Sequence, residues 1–191
     1  HSERILPMVH EVLAESGFAL TQLDAIAFGR GPGSFTGLRI GAGVAQGLAF
    51  GADIPVTPIS SLAALAQGVD APRVLAAFDA RMNQVYSAAY ARNAEGVMEL
   101  VGNESVAAPL HVPLPEGNGW IGAGNGWDQY YAALLEHLGG HVTDWRKQIY
   151  PHARDVGRLG AVAFQAGKAI AAEQALPVYV RDDVAVKSVK P

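Results

Sequence analysis

The segment GRGPGSFTGLRIG, at residues 29–41, contains the residue types that bind phosphate in many proteins. A short apolar strand precedes it and a helix follows it, so free backbone N–H groups at the helix start could bind an anion. Gly31, Gly33 and Ser34 are the candidate phosphate ligands. Alternatively, the glycines and Pro32 form a tight turn and Ser34 caps the helix. The second interpretation is favoured because a lone glycine pattern is weak evidence for phosphate binding.

Other residues that could do chemistry are sparse. The chain has no cysteine, which excludes thiol catalysis and Cys–zinc sites. His137 and His141 have the spacing of a metal-binding pair, but Gly139 and Gly140 are predicted to end the helix between them, so the two rings would not share a face. No His-Glu-x-x-His motif and no nucleophile elbow is present. The sequence therefore predicts neither a metal site nor a catalytic residue.

The helix after the glycine loop, from about residue 34 to residue 50, is apolar on nearly all sides. At 100° per residue one of its faces consists of Gly37, Ile40, Gly41, Val44 and Leu48. One side of such a helix can lie on the domain's own sheet, and the other side needs a partner. The two glycines remove side-chain bulk, so a second backbone could approach this face closely.

The first helix has a matching apolar stripe. It consists of Ile5, Leu6, Val9, Val12 and Leu13. Two such helices side by side would make a patch that could dimerise or dock another polypeptide, and a standard interface buries about 800 Å² on each side. The alternative is that both stripes are ordinary core of this chain. We favour the interface.

The remaining pattern predicts an α/β protein. Three strand-like runs follow residue 72, then the strand of WIGAGNG, a helix over Trp127–Leu138 and a last helix from about residue 153 to residue 173. Small residues along the last helix, including Gly160 and Gly167, predict packing against the sheet of the second half. Trp145, like the two earlier tryptophans, is expected in the core or at an interface.

Composition limits the classes of partner. Half of the residues are hydrophobic, 17% are charged and the formal net charge is −4. Affinity for nucleic acid comes mainly from Lys and Arg, so the chain alone is expected to bind RNA weakly. We identify no stretch of alternating aromatic and basic residues of the kind that stacks on bases. No apolar run approaches the roughly 18–20 residues of a membrane span, and a cytoplasmic protein without a membrane partner is expected.

Three separated segments carry a family resemblance. DAIAFGRGPGSFTGLRIG, FDARMNQVYSAAY and PVYVRDDVA resemble the TsaB (YeaZ) family, and the resemblance covers essentially the whole chain. That family assists the formation of threonylcarbamoyladenosine at position 37 of tRNAs. The resemblance implies an actin-like, sugar-kinase/Hsp70-like ATPase fold of two lobes, here residues 1–70 and 71–191. Family members begin with a further strand meander, so the first lobe is expected to be truncated at its N-terminus.

The fold implied by the resemblance suggests further nucleotide candidates. In it, two strand hairpins clamp the phosphates; the first is missing here, and the second corresponds to the turn in FDARMNQVY. Asp79 could hold a magnesium-bound water and Arg81 a phosphate, although a hairpin closed by a local charge pair is favoured. Gly122 and Gly124 lie where the fold usually holds adenosine, although a plain strand-to-helix turn is favoured. No cofactor is required, and weak ATP or ADP binding could occur in a complex.

The resemblance also implies the partners. In TsaB proteins the first two helices pack as a helical bundle against TsaD or a second TsaB, and the ATPase TsaE joins the assembly. TsaD, the kinase-like paralogue, carries a His-x-x-x-His metal pair; Ser61 and Leu65 stand in those places here, and neither suits a metal. The predicted function is a non-catalytic scaffold that binds and activates TsaD and meets tRNA only indirectly. The alternatives are a metal-dependent, glycoprotease-like peptidase and a nucleotide-dependent enzyme of the same fold.

Overall fold

Two sheets organise the protein, whose structure is a computed structural model that describes residues 3–180. In the first sheet, β1 (Ile26–Gly31) and β2 (Val56–Ser60) are parallel. The second sheet has five strands in the order β5-β4-β3-β6-β7. These strands are β3 (Arg73–Asp79), β4 (Val85–Arg92), β5 (Met98–Ala107), β6 (Trp120–Ala123) and β7 (Val142–Arg146). The predicted α/β class is confirmed.

The second sheet combines an antiparallel meander with a parallel extension. Strands β3, β4 and β5 are antiparallel neighbours, whereas β6 pairs in parallel with both β3 and β7. Helix α4 (Asn125–Leu138) packs on β3, β6 and β7 and buries Trp127 completely. The indole N–H of Trp127 donates to the Leu75 carbonyl at 2.9 Å, which satisfies its polar atom inside the core. Trp120 is also buried, so both tryptophans are core residues as predicted.

Helix α2 (Phe35–Ala52) covers one face of the first sheet. Its alanines pack with Phe28 and Val56 in one cluster; they are Ala42, Ala45 and Ala49. Small side chains let the helix approach the sheet closely. The remaining faces of α2 lie outside this contact.

The opposite face of the first sheet is covered by α5 (Ala153–Gln165). A Cβ atom at Gly160 would lie 2.4 Å from Ala27 Cβ and 2.9 Å from Thr57 Oγ1, so the helix backbone packs directly against these two side chains of the sheet. The prediction that this helix packs on the second sheet is therefore wrong. Small residues on a helix indicate close packing, but they do not specify which sheet receives it.

The last helix is also shorter than predicted. It ends at Gln165, and Gly167 adopts φ +69, a left-handed conformation that closes the helix. Lys168 N–H then donates to the Ala163 carbonyl, and Ile170 forms an antiparallel bridge with Val56. Residues beyond α5 thus return to the first sheet, while the proposed division of the chain at residue 70 stays a prediction. The end of the third family motif, residues 181–185, lies outside the described residues.

Two further helices complete the fold. Helix α1 (Ile5–Ser16) lies on the outside, whereas α3 (Ser61–Gln67) is buried and contacts strands of both sheets. Ser60 caps α3, because its hydroxyl accepts from Leu62 N–H at 3.2 Å and from Ala63 N–H at 3.3 Å. None of the helices within residues 3–180 combines the length and apolar character needed to cross a membrane.

Candidate functional site

The glycine loop forms a tight, capped start for α2. Gly31 has φ +108, and a Cβ there would lie 2.9 Å from Leu38 Cδ1 and 3.1 Å from the Val178 carbonyl. Gly33 faces the same leucine, and the Ser34 hydroxyl accepts from Gly37 N–H at 3.5 Å. The chain's own side chains therefore account for Gly31 and Ser34, and a phosphate role for this loop stays a prediction.

Asp79 and Arg81 form the local pair that the sequence analysis favoured. The Asp79 carboxylate lies 3.3 Å from the Arg81 guanidinium and accepts from Arg81 N–H at 2.8 Å and from the Tyr130 hydroxyl at 3.2 Å. Burial, followed by this hydrogen bond, raises the pKa of Tyr130. Arg81, Met82 and Asn83 all have positive φ, so three consecutive left-handed residues replace the glycine expected at a phosphate hairpin. Both carboxylate oxygens of Asp79 are engaged within this chain.

The second glycine segment lies beside that hairpin. Asp79 N–H donates to the Asn125 side-chain oxygen at 3.1 Å, which joins the hairpin to the start of α4. A Cβ at Gly122 would lie 2.5 Å from the Trp127 ring, and one at Gly124 would lie 2.3 Å from the Ala77 carbonyl. Only glycine allows these approaches, so the packing of the chain itself explains both residues. The two glycine segments therefore lie at different sheets, because the loop of Gly31 follows β1 of the first sheet.

The two histidines with metal-like spacing have separate partners. His137 Nε2 is 2.8 Å from the Val112 carbonyl, and His141 Nδ1 is 2.6 Å from the Gly117 carbonyl. Helix α4 ends at Leu138, between them, as the glycine pair predicted. Ser61 begins the helix α3, and Leu65 is buried within it. Across residues 3–180 no three His, Asp or Glu side chains group as metal ligands would.

A polar network joins the two sheets, and the sequence analysis missed it. The Tyr90 hydroxyl donates to the Glu104 carboxylate at 3.1 Å and lies 3.3 Å from the Ser60 hydroxyl. Glu104 also pairs with Arg30 at 3.1 Å, linking β5 to β1. Burial, and then the negative charge of Glu104, raises the pKa of Tyr90. These residues are far apart in sequence, and no local pattern indicates their pairing.

Helix α1 buries none of its residues. Within its predicted stripe, Leu6 is 53% exposed and Val12 63% exposed, while Ile5, Val9 and Leu13 are half-buried. Single exposed apolar side chains are ordinary, but several of them close together on a surface mark an interaction site.

Helix α2 is similarly uncovered. It buries only its three alanines, and every member of its predicted face is half-buried: Gly37, Ile40, Gly41, Val44 and Leu48. Among residues 3–180, no atom of another part of the fold lies within 4 Å of a Cβ built at Gly41. The same holds for three glycines that the sequence analysis did not select, Gly43, Gly47 and Gly51, which are exposed. Their spacing of four residues, which places them on one helix face, was the available signal.

A groove brings part of the two predicted stripes together. It has a volume of about 440 Å³, and α1, the loop that follows it and α2 all contribute. Its lining includes Leu6, Val9 and Leu13 of α1 and Leu48 of α2. The groove joins the two helices at these four residues. We call the apolar surface of both helices the α1–α2 face; it consists of the ten predicted stripe residues and the three exposed glycines of α2.

Comparison with known proteins identifies the family. The chain is 44% identical over 194 residues to the tRNA threonylcarbamoyladenosine biosynthesis protein TsaB of Escherichia coli K12, an alignment that covers 98% of this chain and 83% of that protein. The chain belongs to the TsaB family. The TsaB protein of Haemophilus influenzae is 41% identical, with 98% of this chain and 82% of that protein covered.

The wider comparisons agree with a TsaB protein. A family model described as TsaD, tRNA N6-adenosine threonylcarbamoyltransferase, matches residues 1–188, which fits a paralogue of TsaD. A crystal structure from Pseudomonas aeruginosa, described as similar to the peptidase YeaZ, superposes with a TM-score of 0.87 at 46% identity and covers 95% of this chain and 84% of its own. A second structure, YeaZ from the same organism, gives 0.85 at 46% identity and covers 94% and 85%. The actin-like fold implied by the resemblance is confirmed.

Proposed function

We propose that this chain takes part in forming N6-threonylcarbamoyladenosine in tRNA, as a non-catalytic subunit that binds and activates TsaD through the α1–α2 face. Its TsaB relatives, which carry this biosynthesis in their names, support the pathway. The observation that carries the mode of action is the exposed apolar surface of α1 beside the bare glycines of α2.

Covering the α1–α2 face would be favourable in water. Burial of apolar surface contributes roughly 25 cal/mol per Å², and Leu6 and Val12 each expose more than half of their surface. Gly41, Gly43 and Gly47 would let the partner backbone approach α2 closely and so increase the buried area. This role requires no catalytic site in this chain, because the scaffold acts by holding TsaD in an active arrangement.

The contacts of the nucleotide candidates support a non-catalytic role. The Asp79 carboxylate contacts Arg81 and Tyr130. The space beside Gly122 is occupied by Trp127, and the space beside Gly124 is occupied by Ala77. In this proposal metal and nucleotide belong to TsaD, and weak ATP or ADP binding by this chain occurs only in the complex.

We propose two other associations of this chain, with a second copy and with TsaE. A homodimer through α1 and α2 would compete with TsaD for one surface, and TsaE would join the assembly once TsaD is bound. The complex would act in the cytoplasm.

The test is Gly41→Leu, which adds bulk where no neighbouring atom lies within 4 Å among the described residues. The variant should keep its far-ultraviolet circular dichroism and lose at least tenfold in affinity for TsaD, measured by titration calorimetry and light scattering. Gly157→Leu is the matched control, because Gly157, an exposed helical glycine on α5, likewise has no atom within 4 Å of an added Cβ among the described residues. Wild-type affinity in Gly41→Leu would contradict the proposed docking face.

A further inference from the structure

A stretch of basic and aromatic residues links β7 to α5. It reads WRKQIYPHAR, at residues 145–154, and Arg158 follows one turn later on α5. Arg146, Lys147, Tyr150 and Arg154 are all exposed. The expectation that the chain lacks aromatic–basic interleaving does not hold for this stretch. We call residues 145–154 together with Tyr131 the basic–aromatic strip.

Two aromatic rings of the strip, Tyr131 and Trp145, hold each other in place, and Tyr131 remains accessible. Tyr131, on α4, stacks on Trp145 with ring centroids 5.0 Å apart and planes at 25°, and Tyr131 is 38% exposed. The Lys147 ammonium lies 5.3 Å from the centre of the Trp145 ring. Tyr150 is 58% exposed. Rings fixed in this way are platforms on which bases can stack, and cations beside them add attraction for phosphate.

Charge is concentrated in this part of the chain. Residues 145–158 hold four of the 14 Lys and Arg and one of the 18 Asp and Glu, which leaves 10 basic and 17 acidic residues elsewhere. The one acid, Asp155, is buried. Neighbouring carboxylates contact part of the strip and would compete with phosphate there. Asp144 pairs with Arg146, Asp155 lies 3.6 Å from Arg154, and Asp128 accepts from Gln148 N–H. Lys147 and Arg158 have no carboxylate partner within residues 3–180.

We propose that the basic–aromatic strip is an RNA-contacting surface, on which unpaired bases stack against Tyr150 and the Tyr131–Trp145 pair while Lys147 and Arg154 contact phosphates. This inference rests on the proposed function, which supplies tRNA as the RNA concerned, and it replaces the expectation of purely indirect tRNA contact. The acidic remainder of the chain keeps affinity weak, within the range of about 10⁻⁴ to 10⁻⁶ M typical of non-specific binding.

The test measures binding of a fluorescently labelled tRNA transcript by anisotropy, first to the full chain alone at 50 mM salt and then to its complex with TsaD. Lys147→Glu together with Arg154→Glu should lower affinity at least tenfold and reduce the slope of log affinity against log salt by about one for each lost contact. Tyr150→Ala should lower affinity at least fivefold with little change in that slope. Lys147→Glu alone should also lower affinity, and Lys168→Glu, the reversal of an exposed lysine outside the strip, is its matched control and should leave affinity near the wild-type value.

Two results would contradict the proposal that the basic–aromatic strip contacts RNA. One is wild-type tRNA affinity in the charge-reversal variant, or an equal loss in Lys168→Glu. The other is competition by poly-glutamate that matches competition by unlabelled tRNA, because it would assign the surface to an acidic polypeptide. TsaD affinity of the strip variants should equal that of the wild type. If the wild-type chain fails to bind TsaD, the proposed function fails, while the RNA measurement on the chain alone still decides the strip.

Discussion

An alanine at Gly47 should raise the stability of the free chain and weaken its association. Gly47 lies inside α2, is exposed, and has no atom of another part of the fold within 4 Å of its added Cβ among the described residues. Replacing a helical glycine by alanine removes a cost of about 1 kcal/mol, chiefly in backbone entropy. For a chain of this length that gain corresponds to a rise of about 2–4 °C in the melting temperature. In the complex the same methyl would stand against the partner backbone, where overpacking costs about 1–3 kcal/mol.

Urea unfolding and calorimetric titration with TsaD measure the two effects separately. We predict opposite signs: a higher free energy of unfolding and a loss of affinity of about fivefold to 150-fold. Gly157→Ala, on α5, should show the gain in stability without any loss of affinity, since that glycine is also open and helical but lies outside the α1–α2 face. Destabilisation by Gly47→Ala would refute the reasoning, because it would mean that this face of α2 is packed within the free chain.

We make two further predictions, one from the packing of α5 on the first sheet and one from the network of Tyr90, Glu104 and Arg30. Gly160→Ala should lower the free energy of unfolding by about 1–3 kcal/mol in urea, because its Cβ would lie 2.4 Å from Ala27 Cβ; an unchanged value would contradict the packing of α5 on the first sheet. Because burial raises the pKa of Tyr90 above that of an unfolded tyrosine, the unfolded chain loses this proton first, and stability should fall as pH rises above about 10. Tyr90→Phe should remove that contribution, so its urea midpoint should fall less than the wild-type midpoint between pH 9 and pH 11.

Local patterns predicted the elements that carry strong periodicity or clear breakers. The stripe of α1, the glycine loop before α2 and the Gly139-Gly140 end of α4 all lie where expected. Strand β7 was missed because it is short and three of its five residues are polar. The length of α5 was overestimated because Gly167 ends it and no proline or charge pattern marks that position.

Contacts between distant segments could not be predicted. The Tyr90–Glu104–Arg30 network depends on which strands face each other across the two sheets. The packing of Gly160 against Ala27 likewise depends on the path of the chain after residue 146. Within the α1–α2 face, the helical pattern predicts Gly37 and Gly41, but it does not fix how the helix is turned toward the sheet, and Gly43, Gly47 and Gly51 are the more exposed glycines of α2.

Amide hydrogen exchange of this chain, measured at concentrations where it is monomeric, with and without full-length TsaD, tests the central claim most directly because it locates the contact without any mutation. We predict slower exchange in α1 and α2, residues 5–16 and 35–52, and little change in β6 and β7. Complex formation with protection confined to the second sheet, and none in α1 or α2, would contradict the account.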